Sequence, residues 1–356
     1  MFQHLIRILA YIVFFITMVT TTSCINVQNN SYTNKKTITP QTLLEEKIEY
    51  YRNLYPKITF LNLQNDDELP ALDVILGFQP KSLDYEHPAD LREDLMLVSI
   101  ERIWSMLRSK QPSAAVFKAD TPLGWQEQIC VLTIDPDEVA TDSIQATQHL
   151  LNLPQKVIQK IPYEMQLPPD DFLAFVINHE VYHCLKSIYV GPQLMSHKEL
   201  WAGYNHFHDE QAADAYALAM HIKTNNNDST FGKNILRIRG VSLYNDDGNH
   251  LTCKALEQVL KIPTENIAEM STHEIFELAN HIKERLTISY DEYIHYLASV
   301  VQAMKELGIE GDMSVELLYK LQNIQADPEL VKTLVANTRH CIADLCGDEF
   351  EQGDCK

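Results

Sequence analysis

The chain is poor in basic residues. It contains 29 Lys and Arg against 49 Asp and Glu, which gives a formal net charge of -20 at neutral pH. No cluster of Lys and Arg occurs along the sequence. Because binding of a phosphate backbone requires such clusters, we expect no nucleic-acid partner. The composition is otherwise that of a globular protein with a sizeable core, with 45% hydrophobic and 22% charged residues.

The apolar stretch near the N-terminus is too short to cross a bilayer. Residues 8–19 form an uncharged run of 12 residues, whereas a spanning helix needs about 20. The run has the length of the hydrophobic part of a signal peptide. Small residues and Cys24 follow it, as in a bacterial lipoprotein processing site. We therefore predict a signal peptide over residues 1–24, with lipidated Cys24 as a possible membrane tether. Ordinary cleavage and an uncleaved anchor are the alternatives.

Cysteine pairs with metal-binding or redox spacing are also absent. None of the seven cysteines belongs to a C-x-x-C pair, which argues against a thiolate zinc site and a thioredoxin-like motif. Six cysteines remain when Cys24 is set aside, and they allow 15 pairings. Cys341, Cys346 and Cys355 lie close together in the sequence, so we expect at least one disulfide there in an oxidising compartment.

The rest of the chain is mainly helical in pattern. Residues 25–40 are rich in Asn, Thr and Ser, and we predict a flexible tether there. Residues 114–117 and 129–134 predict one β-hairpin. The expected helices cover residues 41–55, 95–107, 142–160, 168–189, 209–224, 274–286, 291–307, 315–321 and 328–345. This pattern predicts a helix-dominated α+β fold in which a small sheet precedes the helix that carries the chemistry.

One short motif indicates that chemistry. Residues 179–183 read His-Glu-Val-Tyr-His, within a helix whose start is marked by two prolines and two acidic residues. His179 and His183 are one helical turn apart, so both imidazoles can reach one zinc ion. Glu180, beside them, can hold a metal-bound water whose pKa zinc lowers.

A catalytic zinc needs a third protein ligand and an open position. Glu210 can supply that ligand from the helix expected over residues 209–224, and Asp214, one turn later, can accept a hydrogen bond from a ligating histidine. Alternatively, the motif histidines are ordinary core or surface residues and Glu210 is a solvated carboxylate. His206 and His208 could be substitute ligands, but we expect both to be loop residues.

Other residues near the motif have no spacing argument. Cys184 follows His183 directly and should point away from the metal, as a small buried residue or a disulfide partner. Peptide hydrolysis also needs a group that steadies the oxyanion. The candidates are Arg237, Arg239, Tyr244 and His250.

The motif resembles a known family. The pattern His179-Glu180-x-x-His183 followed by Glu210-x-x-x-Asp214 resembles the gluzincin metallopeptidases, and its second half is closest to the HtpX-like branch. The resemblance covers about residues 95–222. It implies a zincin-like catalytic core.

The resemblance also implies roles for individual residues. The two motif histidines and Glu210 would bind zinc, Glu180 would be the general base, and Asp214 would orient His179. Residues 128–134 would form the rim that holds an extended substrate by strand addition.

The expected organisation has four parts: a signal peptide over residues 1–24, a tether over 25–40, a metallopeptidase domain over 41–224 and a helical C-terminal region over 225–356. We expect an exported zinc metallopeptidase that acts on a protein or peptide. It would be periplasmic or outer-membrane-anchored if bacterial, and otherwise secreted. The alternative is a non-catalytic envelope lipoprotein that binds a protein partner and has a structural or vestigial zinc site. A fourth protein ligand on the metal would favour this alternative.

Overall fold

The computed structural model describes residues 39–64, 112–120, 126–139, 166–189, 199–225, 230–245, 250–308, 321 and 323–346. The helices are α1 (Pro40–Leu54), α2 (Pro136–Val139), α3 (Pro169–Tyr189), α4 (Glu199–Thr224), α5 (Thr230–Arg239), α6 (Cys253–Leu260), α7 (Thr264–Glu269), α8 (Thr272–Leu286), α9 (Tyr290–Leu307) and α10 (Pro328–Cys346). The strands are β1 (Ile58–Asn62), β2 (Ser113–Asp120) and β3 (Gln126–Thr133), and a 3-10 turn covers Ser242–Asn245. The predicted helix-dominated α+β class is confirmed.

Most of the expected elements that fall on described residues are present. The hairpin is formed by β2 and β3, and α1, α3, α8, α9 and α10 begin and end within two residues of their predicted bounds. The expected helices over 95–107 and 142–160, most of 315–321, the signal peptide and all but the end of the tether lie outside the described residues. Within the described part, no helix combines the length and the apolar content that a membrane span requires.

Helix α4 begins ten residues earlier than predicted, at Glu199 instead of residue 209. The described part of α4 is buried over most of its surface, from Phe207 to Ile222. A helix surrounded by other elements has no polar face, so this stretch shows little amphipathic contrast in the sequence. Gly203 also weakens the helical pattern. Glycine is favoured there because a Cβ atom at this position would lie 2.9 Å from the Tyr293 hydroxyl.

Local sequence explains where three of the helices start. Helix α3 carries Asp170 and Asp171 in its first turn, where negative charge favours the positive end of the helix dipole. Helices α8 and α9 each begin with a capping box, in which Ser271 and Ser289 pair with a glutamate three residues later. These starts fix where α3, α8 and α9 begin, and all three helices pack on α4.

The sheet has the strand order β1-β3-β2. Strand β3 pairs with β2 in antiparallel register, from Ser113 opposite Thr133 to Asp120 opposite Gln126. On its other side β3 pairs with β1 in parallel, over residues 128–132. The rim predicted at residues 128–134 is therefore wrong, because the backbone of a central strand is already hydrogen-bonded on both sides. Among the described strands, β2 and β1 are the edges.

Helices α3 and α4 form the centre of the main hydrophobic core. Tyr182 on α3 packs against Tyr216 on α4 and Phe276 on α8, with ring centroids 5.8 and 5.5 Å apart. Helices α6, α7 and α8, which follow residue 225, also pack on α4. A smaller cluster joins α9 to α10 through Met304 and Val331. The division of the chain at residue 224 stays a prediction.

Candidate metal centre

Helix α3 brings the two motif histidines to one point. The Nε2 atoms of His179 and His183 lie 3.3 Å apart. Tetrahedral zinc with metal–nitrogen bonds of about 2.0–2.1 Å places its ligand atoms about 3.3–3.4 Å from one another. The spacing of the two imidazoles therefore suits a single metal ion.

Helix α4 supplies a carboxylate to the same point. Glu210 Oε2 lies 2.9 Å from His179 Nε2, and Glu210 Oε1 lies 3.3 Å from His183 Nε2. Glu210 is only 1% exposed, so it is not the solvated carboxylate of the alternative interpretation. The structure brings together the three residues that were expected to bind metal.

A fourth side chain, His250, joins this group from the segment between the 3-10 turn and α6. Its Nε2 atom lies 2.9 Å from Glu210 Oε2. His179, Glu210 and His250 form a group whose ligand atoms all lie within 4.8 Å of one another, and such a group could hold a metal ion. The sequence pointed to His250 only as an oxyanion candidate. It lies 40 residues after Glu210, outside any helical pattern that could have related the two.

His206 and His208 lie in α4, so the expectation that both are loop residues is wrong. His206 is one turn before Glu210, and its Nδ1 atom lies 3.1 Å from Glu210 Oε1. Its side chain is half exposed, so this histidine reaches both Glu210 and the surface. His208 is buried edge-on against Tyr204, with ring centroids 4.8 Å apart. Burial, followed by the charge of Lys283, lowers the pKa of His208 to about 4.

The surroundings of Glu210 fit a bound cation. Among the described residues its ion contacts are with histidines alone, and its buried Oε2 atom accepts no hydrogen bond of normal geometry despite two nitrogens at 2.9 Å. Nitrogen atoms that lie close to a carboxylate oxygen without forming a hydrogen bond to it are arranged as ligands around a shared metal ion are. Burial alone would raise the pKa of Glu210, but the surrounding histidines, His250 and His183 first, lower it well below its usual range. The residues present therefore fit a divalent ion.

Asp214 holds the far side of His179. Its Oδ1 atom lies 2.7 Å from His179 Nδ1. Arg239 donates to the same carboxylate from Nε at 2.8 Å and from Nη2 at 2.9 Å, and the Thr252 hydroxyl donates to it as well. Burial would lower the pKa of His179, but Glu210 and then Asp214 outweigh it and raise the pKa to about 10. This arrangement turns the Nε2 atom of His179 toward Glu210.

Glu180 is buried beside the centre, with 8% of its surface exposed. Burial raises its pKa above the usual range, and the charges of His179 and His183 oppose that shift. A carboxyl group with a raised pKa is suited to accept and return a proton near neutral pH.

Two of the oxyanion candidates have other contacts. Arg239, one of the four candidates, is buried and pairs with Asp214. Arg237 donates to Asn234 on its own helix, at 3.3 Å. The side chain of Tyr244 lies outside the described residues, which leaves His250 as the candidate at the centre.

Two linkages fix the helices that carry the centre. Cys184, next to His183, forms a disulfide with Cys130 on β3, so the expectation of a disulfide partner at Cys184 is confirmed. Asp209, next to Glu210, pairs with Lys186 on α3 and lies 2.9 Å from Lys283 on α8. Each linkage starts at a residue next to a candidate ligand and ties that residue to a neighbouring element.

The chain was compared with protein-family models, with curated proteins and with solved structures, and none of the three comparisons gave a match.

Proposed function

We propose that this protein is a zinc-dependent metallopeptidase of the gluzincin type, with a zincin-like core and a protein or peptide substrate. The observation that carries the proposal is the convergence of His179, His183 and Glu210 on one buried point while Asp214 holds the far nitrogen of His179. Two imidazoles and a carboxylate with a hydrogen-bonded outer partner are typical of catalytic zinc sites.

His179, His183 and Glu210 would hold the ion in this mechanism. When bound, zinc supplies Lewis-acid chemistry that polarises a carbonyl group and lowers the pKa of water. Glu180 accepts a proton from the attacking water and returns it to the leaving amine, a transfer that its raised pKa favours. We place substrate beside His206, whose half-exposed side chain lies 3.1 Å from Glu210 Oε1. Among the described strands β2 is an edge, and we place the addition of an extended substrate there in place of residues 128–134.

The first experiment measures the metal content of the purified protein by inductively coupled plasma mass spectrometry. We expect about one zinc per chain, because a single group of ligands is present among the described residues. His179→Ala should lose the zinc, whereas Glu180→Gln should keep it, since Glu180 is not a ligand. Absence of zinc from wild-type protein that was folded with zinc supplied would remove the basis of the proposal.

The second experiment measures hydrolysis of casein and of a library of quenched fluorescent peptides. Glu180→Gln should retain zinc and lose turnover by about 10²–10⁴-fold, the usual contribution of a general base. Glu277→Gln, on the neighbouring helix α8, serves as a control of equal charge change and should keep full activity. Turnover at the wild-type rate in zinc-loaded Glu180→Gln would exclude Glu180 as the base.

One observation favours the second candidate function, a non-catalytic lipoprotein with a structural zinc site. His250 Nε2 is as close to Glu210 Oε2 as His179 Nε2 is, at 2.9 Å, so a third imidazole, and with it a fourth protein ligand, is available. A closed site with four protein ligands has no position for substrate. We would replace zinc by cobalt and add a peptide hydroxamate. If the hydroxamate shifts the visible spectrum of the cobalt protein, the metal has an open position. If the spectrum of the wild type does not change but that of His250→Ala does, His250 is a fourth ligand of a structural site.

We also propose that the protein is exported, with Cys24 as a lipid attachment site. The buried disulfide between Cys130 and Cys184 supports this part of the proposal, because such bonds persist in oxidising compartments. In a bacterial host, radiolabelled palmitate should enter the wild-type protein and be absent from Cys24→Ser. Equal label in both would exclude lipidation at Cys24, and a soluble processed product would then indicate ordinary cleavage.

A further inference from the structure

Cys253 and Cys341, which the metal centre does not use, are not joined by a disulfide in the structure, and both lie beside the C-terminal end of α5. Cys253 is the first residue of α6, and its thiol donates to the carbonyl oxygen of Leu236 at 3.6 Å. Cys341, on α10, lies against Gly240, where a Cβ atom would clash with its sulfur. The Gly240 amide donates to the same Leu236 carbonyl at 3.1 Å. Both thiols therefore border one helix end, and the absence of a side chain at Gly240 makes room for the second thiol.

The two thiols have similar surroundings, as expected for cysteines that can form a disulfide. Each is partly buried and each comes from a different helix. Cys341 packs against the main hydrophobic core and is one of the groups that raise the pKa of the Cys253 thiol, after burial. The chain already contains one disulfide, between Cys130 and Cys184, so it folds where thiols are oxidised.

We propose that Cys253 and Cys341 form a second disulfide, which fastens α10 to the start of α6. This site differs from the bridge that the sequence suggested among Cys341, Cys346 and Cys355. It does not depend on the metallopeptidase function.

The bond forms by thiol–disulfide exchange with a small disulfide or a disulfide-carrying oxidoreductase. The Cys341 thiolate attacks one sulfur of that oxidant, and one reduced thiol leaves. The Cys253 thiolate then attacks the mixed disulfide at Cys341, and the second thiol leaves. Two protons pass from the cysteines to the two leaving thiolates, and the oxidant gains the two electrons that the cysteines lose.

The bond would act on the segment that completes the metal centre. Cys253 directly follows Thr252, which donates to Asp214, and it lies three residues after His250. Fixing Cys253 to α10 would therefore restrain both contacts from one side. In the reduced protein this segment is held by noncovalent contacts, among them those of Thr252 with Asp214 and of His250 with Glu210.

The test maps disulfides in the full-length protein after incubation with oxidised and reduced glutathione. The protein is denatured without reduction, alkylated, and digested with trypsin and then with a protease that cleaves before aspartate. Cleavage before Asp344 separates Cys341 from Cys346, so each pairing gives a distinct peptide mass. We expect a cross-linked peptide that joins Cys253 to Cys341, with the loss of both residues from the alkylated set.

Matched variants make the result decisive. Cys346→Ser leaves the proposed bond intact and should give the same cross-linked peptide. Cys341→Ser should lose it, and amide hydrogen exchange in residues 250–253 should become faster than in oxidised wild type. Alkylation of both Cys253 and Cys341 in the oxidised wild type, or a bond from Cys341 to Cys346 or Cys355, would overturn the proposal. Either outcome leaves the zinc measurement unaffected.

Discussion

Asp214 shows how much of the centre depends on a single side chain. Its carboxylate joins three segments: it contacts His179 on α3, Arg239 at the end of α5, and Thr252 just before α6. Burial alone would raise the pKa of Asp214, but Arg239 and then His179 lower it below the usual range. The charged carboxylate therefore keeps the His179 ring in one orientation, as the outer partners of metal-bound histidines do.

Removal of Arg239 should weaken the centre without touching a ligand. Arg239→Ala leaves the buried carboxylate of Asp214 without its cation, and we expect a loss of stability of about 3–5 kcal/mol. Zinc affinity should fall by about 10–100-fold, the usual effect of losing a partner outside the ligand set. Urea unfolding and a competitive zinc indicator measure the two effects. Arg237→Ala, on the same helix, is the control, and equal behaviour of the two variants would contradict the role of Arg239.

Cys253 gives a pH dependence in the reduced protein. Burial, together with Cys341, raises the pKa of its thiol from 9.0 to about 12. The folded protein therefore binds this proton more tightly than the unfolded chain does. The resulting stability is fully present below pH 9 and is lost as the pH rises from 9 to 12. We expect the difference in unfolding free energy between reduced wild type and Cys253→Ser to decrease between pH 9 and 11. A difference that stays constant over this range would exclude a buried, protonated thiol.

At the scale of elements, regular spacing decides what the sequence can reveal. His179 and His183 could be related because they share a helix, and Glu210 and Asp214 could be related for the same reason. His250 could not, because it comes from a short segment without periodic contacts. The sequence also showed the β2–β3 hairpin, in which the strands are neighbours along the chain. It could not show that β1, more than sixty residues before β3, pairs with the other side of β3.

The disulfide between Cys130 and Cys184 joins the central strand to the helix that carries the motif. It closes a loop with a sequence separation of 54 residues. Loop-closure entropy for that length predicts a stabilisation of about 4 kcal/mol. The double variant Cys130→Ala/Cys184→Ala should therefore unfold at a lower urea concentration, measured by circular dichroism. Cys346→Ser is the control for a cysteine outside this bond. An unfolding midpoint equal to that of wild type would show that the bond contributes little.

At the scale of the whole molecule, the centre connects parts of the chain that are distant in sequence. The side chains that could bind a metal lie on α3, on α4 and at His250, and the same two helices form the middle of the main core. The helical class and the ligands on α3 and α4 could be predicted because amphipathic spacing and the ligand motif are both local patterns. The packing of α6, α7 and α8 onto α4 could not, since contacts between remote elements leave no periodic signal.

Because the candidate ligands lie on α3, on α4 and at His250, we expect a bound metal to stabilise the whole fold. An ion that binds only the folded chain adds about 4 kcal/mol when it is present at 1,000 times its dissociation constant. Thermal unfolding should therefore shift upward when zinc is added to chelated protein, and His179→Ala should show no shift. His250→Ala separates the two candidate functions: a full shift means that three ligands suffice and a position stays open, whereas a lost shift means that His250 is a ligand of a closed site. An unchanged midpoint in wild type would exclude a metal bound at this centre.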